Sequence, residues 1–271
     1  DWSSDVCSSD LEIMPKITIL FSTCMMLMSM LLFYTPVSHA QSLSSKQTMV
    51  NQQNQNNTTT QFSGNTDNTK KATTDDEPSF ENSKVNQYII QHHLQHSHVV
   101  NDPRMDTLPK LEYKNGTYIG VVIHEVGEDH RSLQKWVDNM YATYNTAFVH
   151  AFVDNQEIHL TAPSKYYVWG AGPKANPYFY QIELVRMYNF EDFAKSVNNQ
   201  AWLAAFMLKQ NGITPTLADT NEGKGSVISH NAVSRYWGGT DHVDPYEYYA
   251  RWGYDMQQMY ELIKYYYDNM A

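Results

Sequence analysis

Apolar residues recur at two different periods in the chain after residue 84, and these periods distinguish helices from strands. A spacing of three and four residues predicts helices, whereas short continuous or alternating apolar runs predict strands. The predicted helices span residues 85 to 94, 133 to 144, 190 to 211 and 256 to 267. The predicted strands span residues 116 to 125, 148 to 154, 157 to 162 and 180 to 186. Helices that alternate with strands predict an α/β domain.

Local signals support the ends of several elements. Ser132 precedes an amphipathic run and is a typical helix N-cap, and Asn211 with Gly212 forms a typical C-cap for the long helix. The strands at 148 to 154 and 157 to 162 are separated by two residues, which predicts a β-hairpin. The strand that begins after Gly116 ends near His124, so this histidine is predicted to lie at a strand end.

The first 84 residues divide into three parts by composition. Residues 1 to 13 precede the first credible start methionine and are interpreted as a non-native leader. Residues 14 to 40 contain an apolar run from 17 to 34 and end in small residues, a pattern typical of a secretory signal peptide; a retained membrane anchor is the alternative. Residues 41 to 84 are rich in Gln, Asn, Ser and Thr, which predicts a disordered polar linker. The folded domain is therefore expected at 85 to 271.

Composition excludes several classes of protein. With 42% hydrophobic and 18% charged residues the chain can bury a core, which excludes wholesale disorder. A formal charge of -10 argues against nucleic acid as a partner. The only cysteines are Cys7 and Cys24, and both lie in the leader and signal segments, so the mature protein has no thiolate for a metal site. Any metal must then be bound by histidine and carboxylate side chains.

The segment 229 to 245, SHNAVSRYWGGTDHVDP, contains two histidines and two aspartates. A loop around its Gly-Gly turn could bring His230 and one carboxylate to the same ion, and His124 could join them from its strand end. Two histidines, one aspartate and one open position are typical of hydrolytic zinc sites. The alternative is structural: Asp241 and Asp244 cap a helix that begins near Pro245, and His230 is a hydrogen-bonded core residue. The spacing alone does not decide between the metal site and the structural alternative.

Other histidines carry weaker signals. His92 and His96 stand four residues apart and could share a metal, but no further ligand completes the site, so a solvated polar stretch is favoured. The position of His150 is compatible with two functions: it either supports the site or is a packed core residue. No function is assigned to His130 or His159.

Five segments resemble the catalytic domain of the N-acetylmuramoyl-L-alanine amidases of staphylococcal-type autolysins. They follow one another in the family's order and spacing, and the resemblance runs from about residue 85 to the C-terminus. The segments are VVIHE, FVHAFVD, WGAGPKANP, QIELV and SHNAVSRYWGGTDHVDP. The resemblance implies the fold of the zinc amidases and peptidoglycan recognition proteins, an α/β fold with a mixed central sheet flanked by helices and zinc at the floor of a groove.

Zinc ligands follow from the resemblance. They are His124, His230 and Asp244, because the second acid of the motif, rather than Asp241, matches the family's ligand.

The resemblance also implies the catalytic groups. Glu183 of QIELV matches the general base, and His242 matches the group beside the substrate carbonyl. The alternative for Glu183 is a structural ion pair with Arg186 or Lys174. Burying a glutamate side chain in a central apolar strand costs free energy, which favours a catalytic function over a structural one.

Substrate contacts are expected at Trp169, Asn176 and Thr240, with Gly170 in the same groove-lining loop as the first two. An indole there could stack on a sugar or peptide face.

The implied activity is that of a secreted, cell-wall-associated autolysin. It would cleave peptidoglycan at the amide bond between N-acetylmuramic acid and the L-alanine of the stem peptide, using Zn²⁺ and no organic cofactor. After signal cleavage we expect no membrane contact, and we expect a monomer. The alternatives are a zinc-dependent peptidoglycan endopeptidase and a non-catalytic module that recognises muropeptides.

Overall fold

The computed structural model describes residues 80 to 270. The predicted leader (1 to 13), the predicted signal peptide (14 to 40) and most of the predicted linker (41 to 79) lie outside the described residues. Within 80 to 270, no helix combines the length and the apolar character needed to cross a membrane.

Six strands in this part of the chain form one mixed sheet with the order β1-β4-β3-β5-β2-β6. The strands are β1 (His98–Asn101), β2 (Gly120–Glu125), β3 (Ala151–Val153), β4 (Glu157–Leu160), β5 (Phe179–Leu184) and β6 (Val227–Ser229). Strands β3 and β4 are antiparallel and form the predicted hairpin, while the other neighbours are parallel. The predicted mixed central sheet is therefore confirmed.

Six α-helical segments accompany the sheet in the described part of the chain. They are α1 (Lys84–Gln91), α2 (Leu133–Ala142), α3 (Phe190–Gln210), α4 (His230–Ala232), α5 (Tyr246–Ala250) and α6 (Met256–Asn269). The four longer helices match the four predicted ones. Helix α3 begins at the N-cap Asn189, whose side chain accepts from Asp192 N, and ends at Asn211, where Gly212 adopts a φ of +63°.

The two faces of the sheet carry different cores. Ile123 and its register partner Ile182 belong to the larger core, which includes buried residues of α1, α3 and α6. Phe152 is buried on the opposite face with residues of α2, and its register partner on β5 is Glu183. Each fully buried aliphatic or aromatic side chain contributes about 1.5–3 kcal/mol to stability. Successive side chains of β2 and β5 therefore point alternately toward the larger core and toward the opposite face of the sheet.

Helix α3 fixes the ends of the strands through a polar side chain that the sequence analysis missed. Gln200 is fully buried, and its Nε2 donates to His124 O (3.0 Å) and Ile182 O (3.1 Å). Tyr249 OH donates to Gln200 Oε1 (2.7 Å). This hydrogen-bond network ties helices α3 and α5 to the two strands that carry His124 and Glu183.

Three features differ from the sequence expectation near the start of the domain. Phe80, which falls in the predicted linker, is only 7% exposed and packs edge-on against Tyr265. Ser83 Oγ accepts from Asn86 N and so caps α1 (3.2 Å). Strand β1 was absent from the predicted set because it is an edge strand with mostly exposed residues and no apolar run.

Candidate metal centre and active-site cavity

Three parallel strands bring the predicted site residues to one edge of the sheet. His124 on β2 pairs in register with Glu183 on β5, so both side chains leave the sheet on the same face. On the other side of β2, Ile123 pairs with Ser229 of β6, and His230 follows directly. The carboxyl ends of parallel strands share one edge, which explains why residues more than 100 positions apart meet here.

His124, His230 and Asp244 converge on one point. Each offers one ligand atom, and these atoms all lie within 4.8 Å of one another. Asp244 Oδ2 is 3.3 Å from His124 Nδ1, and Asp244 Oδ1 is 3.0 Å from His230 Nδ1. The two imidazole rings meet nearly edge to face, with centroids 4.5 Å apart. The geometry thus assembles the two histidines and the aspartate of the predicted metal site.

The protonation states suit metal binding. Burial lowers the pKa of His124 to about 4, so its imidazole is neutral at neutral pH and keeps a nitrogen lone pair. Burial alone would raise the pKa of Asp244, but His230 and His124 outweigh it and hold that pKa below its usual range. Two histidine side chains and one carboxylate form a typical zinc ligand set.

The spacing of these atoms also fits a zinc ion. Ligand atoms at 2.0–2.2 Å around a tetrahedral zinc stand roughly 3.3–3.6 Å apart, and the Nδ1 atoms of His124 and His230 lie 3.3 and 3.0 Å from one oxygen each of Asp244. His124 Nε2 is buried and has no hydrogen-bond partner among the described residues. A buried polar atom without a partner is unfavourable unless a ligand or water compensates it.

The structural alternative for the aspartates does not match the fold. Helix α5 has Pro245 at its N-cap position, and no side chain caps it. Asp244 directs its carboxylate to the two histidines, while Asp241 is exposed and lies outside the converging group.

Glu183 is buried beside this centre. It is only 2% exposed, and its Oε2 has no hydrogen-bond partner among the described residues. Burial, together with the nearby carboxylates of Asp244 and Glu125, raises the pKa of Glu183 well above its ordinary value. A carboxyl group held this way keeps its proton to a higher pH than an ordinary glutamate, which suits it to proton transfer.

Neither cation considered as a partner of Glu183 pairs with it among residues 80 to 270. Arg186 binds Glu125 through Nε (2.5 Å) and Nη2 (3.0 Å) and also contacts Asp129 (3.4 Å). No ion pair joins Lys174 to Glu183 within residues 80 to 270. The structural ion-pair alternative for Glu183 is therefore not what the geometry supports.

His242 lies at the mouth of the site. Its ring stacks on His230 with centroids 4.7 Å apart and an interplanar angle of 5°. Its Nδ1 is 3.9 Å from Asp244 Oδ1, and 43% of its side chain is exposed. Burial, followed by the neighbouring His230, lowers the pKa of His242. His242 can therefore reach a bound substrate while remaining in contact with the ligand residues.

The three predicted substrate contacts lie in different surroundings. Trp169 is half-buried, donates from Nε1 to Tyr144 O (2.6 Å) and does not line the cavity described below. Asn176 is buried, and its Oδ1 accepts from Ala171 N (2.8 Å). Thr240 Oγ1 lies 3.1 Å from His230 Nε2. The structure therefore brings Thr240 to a ligand residue but directs Asn176 into the protein interior.

A cavity of about 340 Å³ opens over the centre. Besides the predicted His230, His242, Asp244 and Glu183, it is lined by Asp241, which was not favoured as a ligand, and by residues that the sequence analysis did not assign to the site: Glu125, Gly127, Arg186, Val243 and Glu247. Glu125 has a structural link to the ligands, because its backbone N–H donates to Asp244 Oδ2 (3.2 Å). Its position directly after His124 was the one sequence signal that could have identified it.

His150 is a packed core residue. It is fully buried, its Nδ1 accepts from Gln181 N (3.0 Å), and its ring stacks on Tyr180. Burial lowers its pKa to about 3, so the ring is neutral. His159, to which no function was assigned, is buried between the carboxylates of Glu157 and Asp102 on the edge pair β1 and β4.

Comparison with known proteins gives concordant matches. The chain is 45% identical over 157 residues to protein Ami of Listeria monocytogenes, and these residues make up 57% of this chain and 17% of Ami. It is 39% identical over 184 residues to the bifunctional autolysin of Staphylococcus aureus (strain NCTC 8325 / PS 47), 67% of this chain and 14% of the autolysin. The chain thus spans less than a fifth of these curated relatives. No protein-family model matches it.

A solved structure matches over nearly its full length. The crystal structure of Staphylococcus aureus hydrolase AmiA in complex with its ligand superposes with a TM-score of 0.67 at 39% sequence identity. The match covers 69% of this chain and 91% of the AmiA chain.

Proposed function

This chain belongs to the family of N-acetylmuramoyl-L-alanine amidase catalytic domains found in staphylococcal-type autolysins, and on that premise we propose that it hydrolyses peptidoglycan. The bond cleaved is the amide between the lactyl carbonyl of N-acetylmuramic acid and the L-alanine of the stem peptide. The observation that carries the proposal is the convergence of His124, His230 and Asp244 beside a buried Glu183 without a hydrogen-bond partner for Oε2.

The proposed cofactor is Zn²⁺, held by His124, His230 and Asp244. When bound, this ion supplies Lewis acidity, which activates water and polarises the amide carbonyl. Glu125 N–H, which donates to Asp244 Oδ2, holds the carboxylate in place for the ion.

Glu183 is the proposed general base and acid. It accepts a proton from the attacking water and later donates that proton to the leaving nitrogen of L-alanine. Its raised pKa supports both steps, because a carboxyl group with an ordinary pKa would hold the proton too weakly to return it to an amine.

His242 is the proposed hydrogen-bond donor to the carbonyl oxygen. It lines the cavity and stacks on His230, so its ring stands next to the place where negative charge develops in the reaction. Trp169 is retained as a proposed contact for a longer substrate outside the cavity, because part of its indole remains exposed.

The presence of all three ligands and of Glu183 argues against a non-catalytic recognition module, since binding alone requires no buried base. We further propose that the protein is secreted and acts at the cell wall. The apolar segment before residue 41 supports secretion.

Product analysis tests the proposed function. The purified chain is incubated with muropeptides of defined stem sequence, and the products are identified by mass spectrometry. The expected products are the muramyl saccharide with a free lactyl carboxylate and a peptide that begins with L-alanine. Peptides with new termini inside the stem, and an intact bond to L-alanine, would identify an endopeptidase and contradict the proposal.

A further inference from the structure

The segment 169 to 176, where the sequence predicts substrate contacts, is largely fixed to the protein's own interior. Asn176 Oδ1 accepts from Ala171 N (2.8 Å) and from Gln181 Nε2 (3.3 Å). Gln181 is fully buried on the central strand β5, so it connects the segment to the sheet. We call residues 170 to 176 the buttress loop, because they support a second loop.

The buttress loop contacts the Gly-Gly turn of the metal-site segment at very short range. Gly172 has a φ of +79°, and a Cβ built there would lie 2.8 Å from Gly239 O and 3.0 Å from Thr240 Cβ. Gly239 in turn faces Pro173, since its own Cβ would lie 3.3 Å from Pro173 Cδ. Only a glycine allows the two backbones to approach so closely.

Thr240 connects the buttress loop to a metal ligand. Its Oγ1 lies 3.1 Å from His230 Nε2, and it also receives a longer bond from His242 N (3.5 Å). A histidine that binds a metal through Nδ1 must carry its proton on Nε2, and that proton needs an acceptor. Thr240 Oγ1 is placed to accept it, while His230 Nδ1 points to Asp244.

We propose that Thr240 is a positioning residue that fixes the metal-binding tautomer and orientation of His230, and that the buttress loop holds Thr240 in place through Gly172. The inference rests on the proposed zinc site and adds to it the residues that set its affinity. It assigns to the WGAGPKANP segment a function in metal binding.

The hydroxyl is tested with two substitutions of Thr240. Thr240→Val keeps the shape and removes the acceptor, whereas Thr240→Ser keeps the acceptor. The zinc Kd of each full-length protein is measured by competition with a chelator of known affinity, and the melting temperature of each metal-free protein is recorded. Loss of a partner hydrogen-bonded to a metal-binding histidine typically weakens metal affinity about 10–100-fold. We expect that loss in Thr240→Val and a Kd within about threefold of wild type in Thr240→Ser.

The buttress loop is tested with a matched pair of glycines. Gly172→Ala and Gly116→Ala both place a side chain at a positive φ, +79° and +77°, but the added Cβ at Gly116 meets nothing within 4 Å. Both variants should lose some thermal stability because the left-handed conformation is strained for alanine. Only Gly172→Ala should bind zinc more weakly, by about tenfold, since only there is Thr240 displaced from His230.

The outcomes distinguish the proposed zinc site from the proposed functions of Thr240 and of the buttress loop. A wild-type chain that binds no zinc would reject the zinc site itself. Wild-type binding with an unchanged Kd in Thr240→Val, or with equal losses in Val and Ser, would reject the function of the Thr240 hydroxyl. Equal Kd values for Gly172→Ala and Gly116→Ala would reject the function of the buttress loop.

Discussion

His124 and Glu183 occupy paired positions in the register of two adjacent parallel strands, so an imidazole and a carboxyl group leave the same face of the sheet side by side. Neither position can move without disturbing the hydrogen bonds of Gln200 to His124 O and Ile182 O. The sheet therefore presets the distance between a metal ligand and the proposed base. Such preorganisation is what a hydrolytic site requires.

His124→Ala and His230→Ala should each abolish stoichiometric zinc binding, because each removes one of three protein ligands. Zinc content per chain after gel filtration is the measurement. His92→Ala is the control: this exposed histidine belongs to the polar cluster before β1 and should leave zinc content unchanged. One zinc per chain in either ligand variant would remove that residue from the site.

The metal-free protein should lose stability as pH rises because of Glu183. Its pKa in the folded state lies well above the ordinary 4.5, so the folded state binds more protons than the unfolded state between these two values. The free energy of unfolding then decreases with rising pH, by up to about 1.4 kcal/mol per pH unit. Glu183→Gln removes this contribution and should gain stability relative to wild type as pH rises from about 4.5 toward neutrality.

Urea unfolding of both metal-free proteins across this pH range is the measurement. The difference between them reports the titration of Glu183 together with its interaction with Asp244 and Glu125, because the other titrating groups are shared. A constant difference at all pH values would contradict the raised pKa.

Arg186→Met should lower the free energy of unfolding by about 3 kcal/mol, because it leaves the buried Glu125 carboxylate without its cation. Arg251→Met is the matched control. Arg251 pairs with Asp129 and Glu247, but 42% of its side chain is exposed, so its loss should cost less than about 1 kcal/mol. Equal losses in urea unfolding would show that the Arg186–Glu125 pair contributes no more than a surface pair.

The positions of the longer helices and strands followed from the sequence, whereas the three-residue strand β6 is fully buried but too short to show a period. The apolar stripe of α3 and the apolar runs of β2 and β5 carry a local period, so their bounds were predicted to within a few residues. Strand β1 carries no such period, because it lies at the edge of the sheet with most of its residues exposed. Phe80 is a single aromatic in a polar stretch, and nothing local marks it as a core residue.

The site was predictable as a set of residue types but not as a network of contacts. His230 and Asp244 lie close in sequence around a Gly-Gly turn, which made a shared ion a reasonable hypothesis. The pairing of Arg186 with Glu125 joins residues 61 positions apart and depends on β2 lying next to β5. The burial of Asn176 depends on Gln181 in the same way. Such contacts depend on the order of the strands in the sheet, which composition and periodicity do not predict.

The most direct test of the account is the effect of Glu183→Gln on bound zinc and on the single-turnover rate of muropeptide cleavage, measured on one preparation. Glu247→Gln, which changes an exposed carboxylate lining the same cavity, is the control and should stay within a few-fold of the wild-type rate. We predict that Glu183→Gln keeps one zinc per chain and loses roughly two to four orders of magnitude in rate, the usual contribution of a positioned base. A Glu183→Gln protein that keeps its zinc and cleaves at nearly the wild-type rate would contradict the account.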